Sequence, residues 1–524
     1  MKSEKYPSTP PTGEAPGGSA APQAGGLGGT STPLLPAHVF SYFREINAIP
    51  RPSKHEERMT AYLQAFAGQH GLPCHTDQAG NVLISKPATH GKEGAPGIIL
   101  QAHMDMVCEQ VAGLGFDFLS QPIETETEGE WMRAKGTTLG ADDGIGVAMA
   151  MAALTDGQLV HGPLQCLFTT DEETGLTGAS ALESGWMQGS YLINLDSEDE
   201  GEIFVGCAGG ANTVAEFISC PNPIPPGYEC FRVGVSGLKG GHSGDDINKR
   251  RANAIKLLAR FLYTLWPTLH NPSLHDIQGG NLHNAIPRDA WAIIAIRPAE
   301  REQVRAALNV FAAEVEREFH VEEPAMEWRM ESMPEMDGGP FDALDDVAPR
   351  LLAALQGVHN GVLEMNQDIP DLVETSSNLA SIKVQNDEPT PLSPGLRHVL
   401  IETSQRSSSL SGRHNMSHTV AAVFTLAGAD RVETSSGYPG WQPNLKSHLL
   451  QVAVETYRRL FGKEPKVRAI HAGLECGLFS EKYPGLDMIS IGPTMRGVHS
   501  PDERLHIPTV QMVWTHLAAI LAEL

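Results

Sequence analysis

Apolar side chains return at helical spacing as soon as the chain passes Pro36. Val39, Tyr42, Phe43 and Ile46 share one face with His38 beside them, and Met59, Tyr62, Leu63 and Phe66 repeat the pattern after Lys54. Between and beyond these predicted helices come short runs with few or no polar breaks, at 81–85, 97–102, 164–170 and 191–195. Their length and lack of alternation predict strands buried on both faces of a sheet. A small-residue apolar run at 147–154 predicts a tightly packed helix among them. Three of the strands run directly into ionisable residues: His103-Met104-Asp105, Asp171-Glu172-Glu173 and Asp196. Strands alternating with helices predict an open α/β sheet, in which sites collect at the carboxyl ends of the strands.

From Gly209 the texture changes. Strands at 231–235 and 290–296 and helices at 251–265 and 300–319 read as an α+β module. A strand at 398–403, a Ser-rich loop and a helix at 417–426 follow. The succession of strand, small-residue loop and helix occurs twice, which suggests two similar units in one inserted domain. The last segment regains the first texture, with helices at 445–461 and 510–524 and strands at 466–470 and 488–493. The expected division is therefore a Pro/Gly-rich tail at 1–36, a catalytic domain built from 37–209 and 428–524, and an inserted domain at 210–427. The tail has almost no large apolar side chains and is expected to stay disordered.

Composition narrows the function classes. With 41% hydrophobic residues in 524, a sizeable core over more than one domain is available. Lys and Arg number 38 against 63 Asp and Glu, a net charge of −25, which argues against nucleic-acid and anionic-membrane partners. Seven scattered cysteines without a CxxC pair read as reduced thiols. There is no apolar run of spanning length and no signal peptide after Met1-Lys2, so a cytoplasmic protein is expected.

The densest chemistry lies in GTTLGADDGIG, residues 136–146, where two adjacent carboxylates, Asp142 and Asp143, sit among glycines at the start of the predicted helix. By itself this is better explained by an Asp helix cap than by a metal ligand. His103 and Asp105, two apart at a strand end, project to one side, the arrangement of an imidazole ligand and its orienting carboxylate. The three acids at 171–173 repel one another unless a positive charge compensates.

Taken in order, QAHMDMV, GTTLGADDGIG, DEETGLTGA, INLDSEDEGE, GLKGGHSGDDI, GGNLHNAIPR, HAGLECG and GPTMRGVHSPDE resemble the co-catalytic di-zinc peptidases related to aminoacylase and carboxypeptidase G. Among these, they resemble most the aminoacyl-histidine (Xaa-His) dipeptidase branch. The resemblance runs from about residue 37 to the C-terminus. It implies a mixed-sheet α/β catalytic domain with a large inserted α+β lid. It also implies two divalent ions, Zn²⁺ foremost with Mn²⁺ or Co²⁺ as substitutes. Asp142 would bridge them, His103 and Asp196 completing one site and Glu173 and His499 the other. Glu172 would be the general base toward a metal-bridging water, Asp105 the residue orienting His103, and His242, from the lid, the stabiliser of the developing oxyanion. Asn284, Arg406 and Gly473 are the substrate-binding candidates. The implied activity is hydrolysis of small unblocked dipeptides, Xaa-His included. An N-acyl amino acid deacylase or a tripeptidase on the same scaffold is the alternative, and a non-catalytic relative is disfavoured because no ligand or base is lost. A homodimer is compatible with this reading, with His242 serving its own chain or its partner's. Position 143 carries Asp where many close relatives are expected to carry Asn, and it is not counted as a ligand.

Overall fold

The computed structural model describes residues 34–336, 342–387 and 395–524, so the expected tail lies outside the described residues through position 33. The apolar runs assemble into an eight-stranded mixed sheet. Its order is Cys74–Thr76, Val82–Lys86, Leu164–Thr169, Ile98–His103, Tyr191–Asn194, Asp487–Ser490, Glu202–Cys207 and Lys466–Ile470. The central strand Ile98–His103 is parallel to both of its neighbours, Leu164–Thr169 and Tyr191–Asn194. As expected for a strand covered on both faces, successive side chains enter different cores. Ile98, Leu100 and Ala102 join Phe43, Met149, Leu517 and other side chains of the long helices, whereas Ile99 joins Leu192, Trp441 and Phe479 on the opposite face. The helix Ala141–Thr155 packs against both Ala37–Asn47 and Ile98–His103, and its alanines and glycines permit that close approach.

The second layer system is a nine-stranded sheet whose pairings are antiparallel. Its core gathers residues of the helices Ala254–Leu265, Arg301–Phe319, Ala348–Gly357 and Leu410–Leu426. Both strand–loop–helix successions noted in the sequence lie in this one sheet. Two helix starts differ from expectation because polar caps decide them. Asn253 accepts from the N–H groups of Ile255 and Lys256, so the first helix begins at Ala254 rather than 251. Ser409 accepts from Gly412 N–H, so the last begins at Leu410 rather than 417, absorbing part of the Ser-rich loop.

The chain passes from the first sheet to the second between Cys207 and Gly209 and returns after Arg431–Thr434. The two crossings are hydrogen-bonded to each other, Cys207 with Trp441 and Gly210 with Tyr438. A four-stranded sheet, Met495–Arg496, Arg504–His506, Trp131–Ala134 and Thr125–Glu128, was not foreseen. It sets the segment 497–503 beside the glycine loop that follows Ala134, joining parts of the chain more than 350 residues apart.

Candidate metal centre and active site

The glycine loop explains how two neighbouring aspartates take different roles. Gly140 has a positive φ of 68°, and regular helical geometry is not reached until after Asp142 and Asp143. The Asp143 carboxylate turns back on its own helix, accepting from Gly146 N–H (3.2 Å) and from the backbone N–H of His103 (3.3 Å). Capping therefore falls to Asp143, and Asp142 is free to face outward.

Asp142 stands between two imidazoles. His103 Nε2 donates to its Oδ1 at 3.2 Å and His499 Nε2 to its Oδ2 at 3.0 Å. Asp196 Oδ1 lies 3.5 Å from His103 Nε2, and Glu173 Oε2 lies 3.0 Å from His499 Nε2. The five expected ligand residues thus form two half-shells that share Asp142. Asp105 Oδ1 lies 3.3 Å from His103 Nδ1. The same carboxylate accepts from the N–H groups of Glu172 (3.0 Å) and Glu173 (3.2 Å) and from the Ser53 hydroxyl (2.8 Å). It therefore aligns the two glutamates as well as the imidazole.

The electrostatics describe a cluster short of positive charge. Burial, then the charges of Asp196, Glu173 and Glu475, push the Glu172 carboxyl well above its ordinary range. Burial followed by Asp142 raises Glu173, and burial lifts Asp196 to about 7 against the pull of His103. Hydrogen bonds to Asp142 and Glu173 push His499 up to about 11. Burial would also raise Asp105, but the hydrogen bond and charge of His103 bring it down to about 2. Glu173 Oε1 is buried without a hydrogen-bond partner, and ligand atoms of His103, Asp142 and Glu173 lie within 4.8 Å of one another. Carboxylate oxygens and imidazole nitrogens so gathered fit a divalent cation.

Two buried charges that the sequence reading passed over hold the glycine loop. Glu503 is 2% exposed, and its carboxylate accepts four backbone N–H groups: Leu139 (2.7 Å), Gly140 (3.0 Å), Ala141 (2.8 Å) and Asp142 (3.3 Å). Arg51 is 1% exposed and donates to the carbonyls of Met104 (3.1 Å), Asp105 (2.9 Å) and Gly140 (2.5 Å). It thereby bolts the His103 strand end to the Asp142 loop. The only local signals were an acid closing the GVHSPDE motif and an arginine between two prolines.

The remaining candidates come from separate segments: Arg406 lies on a strand of the nine-stranded sheet, His242 and Asn284 in and beside the two-stranded pair Gly241–His242 and Ala285–Ile286, and Gly473 just after the strand Lys466–Ile470 of the first sheet. His242 is one-third exposed and accepts from Asp245 N–H (3.2 Å) at Nδ1. Burial, then the charge of Arg406 and, more weakly, that of His499, lower its pKa. Arg406 is 6% exposed, and its guanidinium donates to Ser243 Oγ (3.4 Å) and Tyr438 OH (3.0 Å). Gly473 leaves room for Tyr438, whose ring a Cβ at 473 would meet at 2.9 Å. Asn284 is exposed on a turn and enters the surroundings of His242 through its carbonyl, which accepts from Ser243 N–H (2.8 Å).

The sequence pattern of peptidase family M20/M25/M40 matches residues 99–523. The chain belongs to this family. It is a hydrolase of peptide bonds on the mixed α/β peptidase fold. It is 40% identical over 491 residues to the cytosol non-specific dipeptidase of Escherichia coli (strain K12), covering 94% of this chain and 98% of that protein. The crystal structure of aminoacylhistidine dipeptidase from Vibrio alginolyticus superposes with a TM-score of 0.82 at 39% identity, over 94% of this chain and 97% of that one. Aminopeptidase PepT from Bacillus cereus, with a TM-score of 0.55 at 17% identity over 93% and 98% of the two chains, shares the fold. Among the described residues no helix is long and apolar enough to cross a membrane.

Proposed function

We infer that this peptidase is a metal-dependent dipeptidase of the cytoplasm, cleaving unblocked dipeptides, Xaa-His among them. The observation that carries this reading is the end-to-end similarity to two proteins named as dipeptidases, which leaves neither catalytic nor lid region unmatched. In this reading residues 37–208 and 435–524 form the catalytic unit and 209–434 the lid, wider than the expected 210–427 because Arg431–Thr434 pairs with Gly209–Ser219 in the second sheet. His103, Asp142, Glu173, Asp196 and His499 would hold two divalent ions, Zn²⁺ foremost and Mn²⁺ or Co²⁺ as substitutes. Bound there, the ions would polarise the scissile carbonyl and make a nucleophile of water near neutral pH.

The protein's own groups do the rest. Glu172, whose backbone N–H is anchored on Asp105, takes the proton of the attacking water and returns it to the leaving amine. His242 donates toward the carbonyl oxygen as charge develops there. Arg406 of the same chain donates to the hydroxyl of Ser243, the residue after His242, and a homodimer is compatible with this reading. Arg406 is a buried cation whose hydrogen-bond acceptors are two neutral hydroxyls, and the free carboxylate of a dipeptide supplies the missing anion.

The test is a panel of free dipeptides, N-acylated amino acids and tripeptides, assayed after chelation and after return of Zn²⁺, Mn²⁺ or Co²⁺. Free dipeptides should be preferred, and only with metal. Preference for acylated substrates would instead make the chain a deacylase, and activity indifferent to chelation would overturn the metal assignment.

A further inference from the structure

Tyr438 occupies the returning crossing between the two sheets, where its backbone is held on both sides. Its N–H donates to Gly210 O (2.9 Å), and its carbonyl accepts from Gly210 N–H (3.1 Å) and from the guanidinium of Arg413, which is 5% exposed. The side chain is held as firmly. A Cβ at Gly210 would meet the phenol end of the ring at 2.7 Å, and a Cβ at Gly473 would meet its other edge at 2.9 Å. Two glycines from distant segments thus leave a slot that the ring fills, and the phenol oxygen ends up 3.0 Å from Arg406 Nη1, from which it accepts.

That hydrogen bond uses only the acceptor side of the hydroxyl. The O–H is still a donor, and among the described residues no acceptor receives it. Arg406 is in a matching state, with Nη1 and Nε directed to neutral oxygens of Tyr438 and Ser243 and no carboxylate paired with it among the described residues. A buried guanidinium and a fixed phenol O–H side by side, both lacking an anion, make a receptor for a carboxylate. We propose that Tyr438 is a specificity-determining residue for the free C-terminus of the substrate, holding the Arg406 fork in place and donating its own O–H to the carboxylate. This rests on the reading that Arg406 receives that carboxylate.

The experiment compares a free dipeptide with the same dipeptide carrying a C-terminal amide, on metal-loaded wild type, Tyr438→Phe and Arg406→Ala. Phenylalanine keeps the ring in its glycine slot, so the unfolding midpoint of Tyr438→Phe should match wild type. Loss of a hydrogen bond to a charged group should raise KM for the free dipeptide by roughly 10-fold or more, leave kcat within about twofold, and leave KM for the amide unchanged. An unchanged KM for the free acid, or an equal rise for acid and amide, overturns the role given to Tyr438. If Arg406→Ala also leaves the preference for acid over amide intact, the carboxylate reading of Arg406 falls with it. If Arg406→Ala alone abolishes that preference, only the inference about Tyr438 falls.

Discussion

Replacing Glu503 by Gln tests the claim that the Asp142 loop is held in place by a buried carboxylate more than 350 residues away in sequence. Each oxygen of Glu503 accepts two backbone N–H groups, Leu139 and Gly140 on one and Ala141 and Asp142 on the other. Glutamine keeps one oxygen but turns an NH₂ group toward the other pair of donors. Two hydrogen bonds to a charged acceptor are then lost, at about 1.5–3 kcal/mol each, or about 3–6 kcal/mol in all. Part of this is offset because the wild-type carboxylate is itself costly to bury, as its raised pKa shows. Arg51 acts the other way, since Glu503 is the charge that most favours its buried guanidinium. A net loss of about 2–4 kcal/mol follows from these opposing effects. Because Asp142 N–H is one of the released donors, the loss should extend to the metal site. Metal affinity should fall about 10–100-fold, the usual cost of removing a group that orients a ligand. Chemical denaturation of the metal-free variant and competition with a calibrated chelator measure the two effects separately. A variant that denatures within about 0.5 kcal/mol of wild type and competes equally well with the chelator would refute the role given to Glu503.

Glu172→Ala should retain its metal by elemental analysis yet lose about 10²–10⁴-fold in turnover, the range expected for a general base; loss of metal would mean that Glu172 and Glu173 have exchanged roles. Asp143→Asn should keep metal stoichiometry and most of the activity, because Asp143 serves the N–H groups of Gly146 and His103 rather than the cluster; depleted metal in the purified variant would make it a ligand. Stability of the metal-free protein should fall between pH 5 and 8. Asp196 and Glu475 titrate at about 7 and 8 against ordinary values of 3.8 and 4.5, and His499 at about 11 against 6.5. In each case the folded state binds the proton more tightly than the unfolded one, so the stabilisation is complete below the ordinary value and is lost as pH rises toward the shifted one. Denaturation midpoints that rise across this range in chelator, or that stay pH-dependent to the same degree when metal is restored, would contradict the charge balance described for the cluster.

Local pattern alone determined much of this protein. Unbroken apolar runs placed the strands Ile98–His103, Leu164–Thr169 and Tyr191–Asn194 within a residue or two, because a strand covered on both faces needs no polar alternation. His103, Glu173 and Asp196 stood out for a related reason, as ionisable groups placed at or just after the ends of buried strands, whereas ligand roles for Asp142 and His499 followed from the family resemblance. Where a cap or a contact at a distance decides, the sequence was silent. The helices at Ala254 and Leu410 start where Asn253 and Ser409 can satisfy free N–H groups, and apolar spacing does not register that. Which of Asp142 and Asp143 faces the cluster depends on backbone angles at two adjacent residues and on a cap to Gly146. Glu503 closing on the glycine loop, Arg51 joining that loop to the His103 strand, and Tyr438 meeting Arg406 in a slot left by Gly210 and Gly473 are contacts between segments far apart in the chain. Spacing along a sequence encodes which residues share a face of one helix or strand. Which faces then meet is decided only when the sheets close on one another and bury those charges and hydroxyls beyond the reach of water.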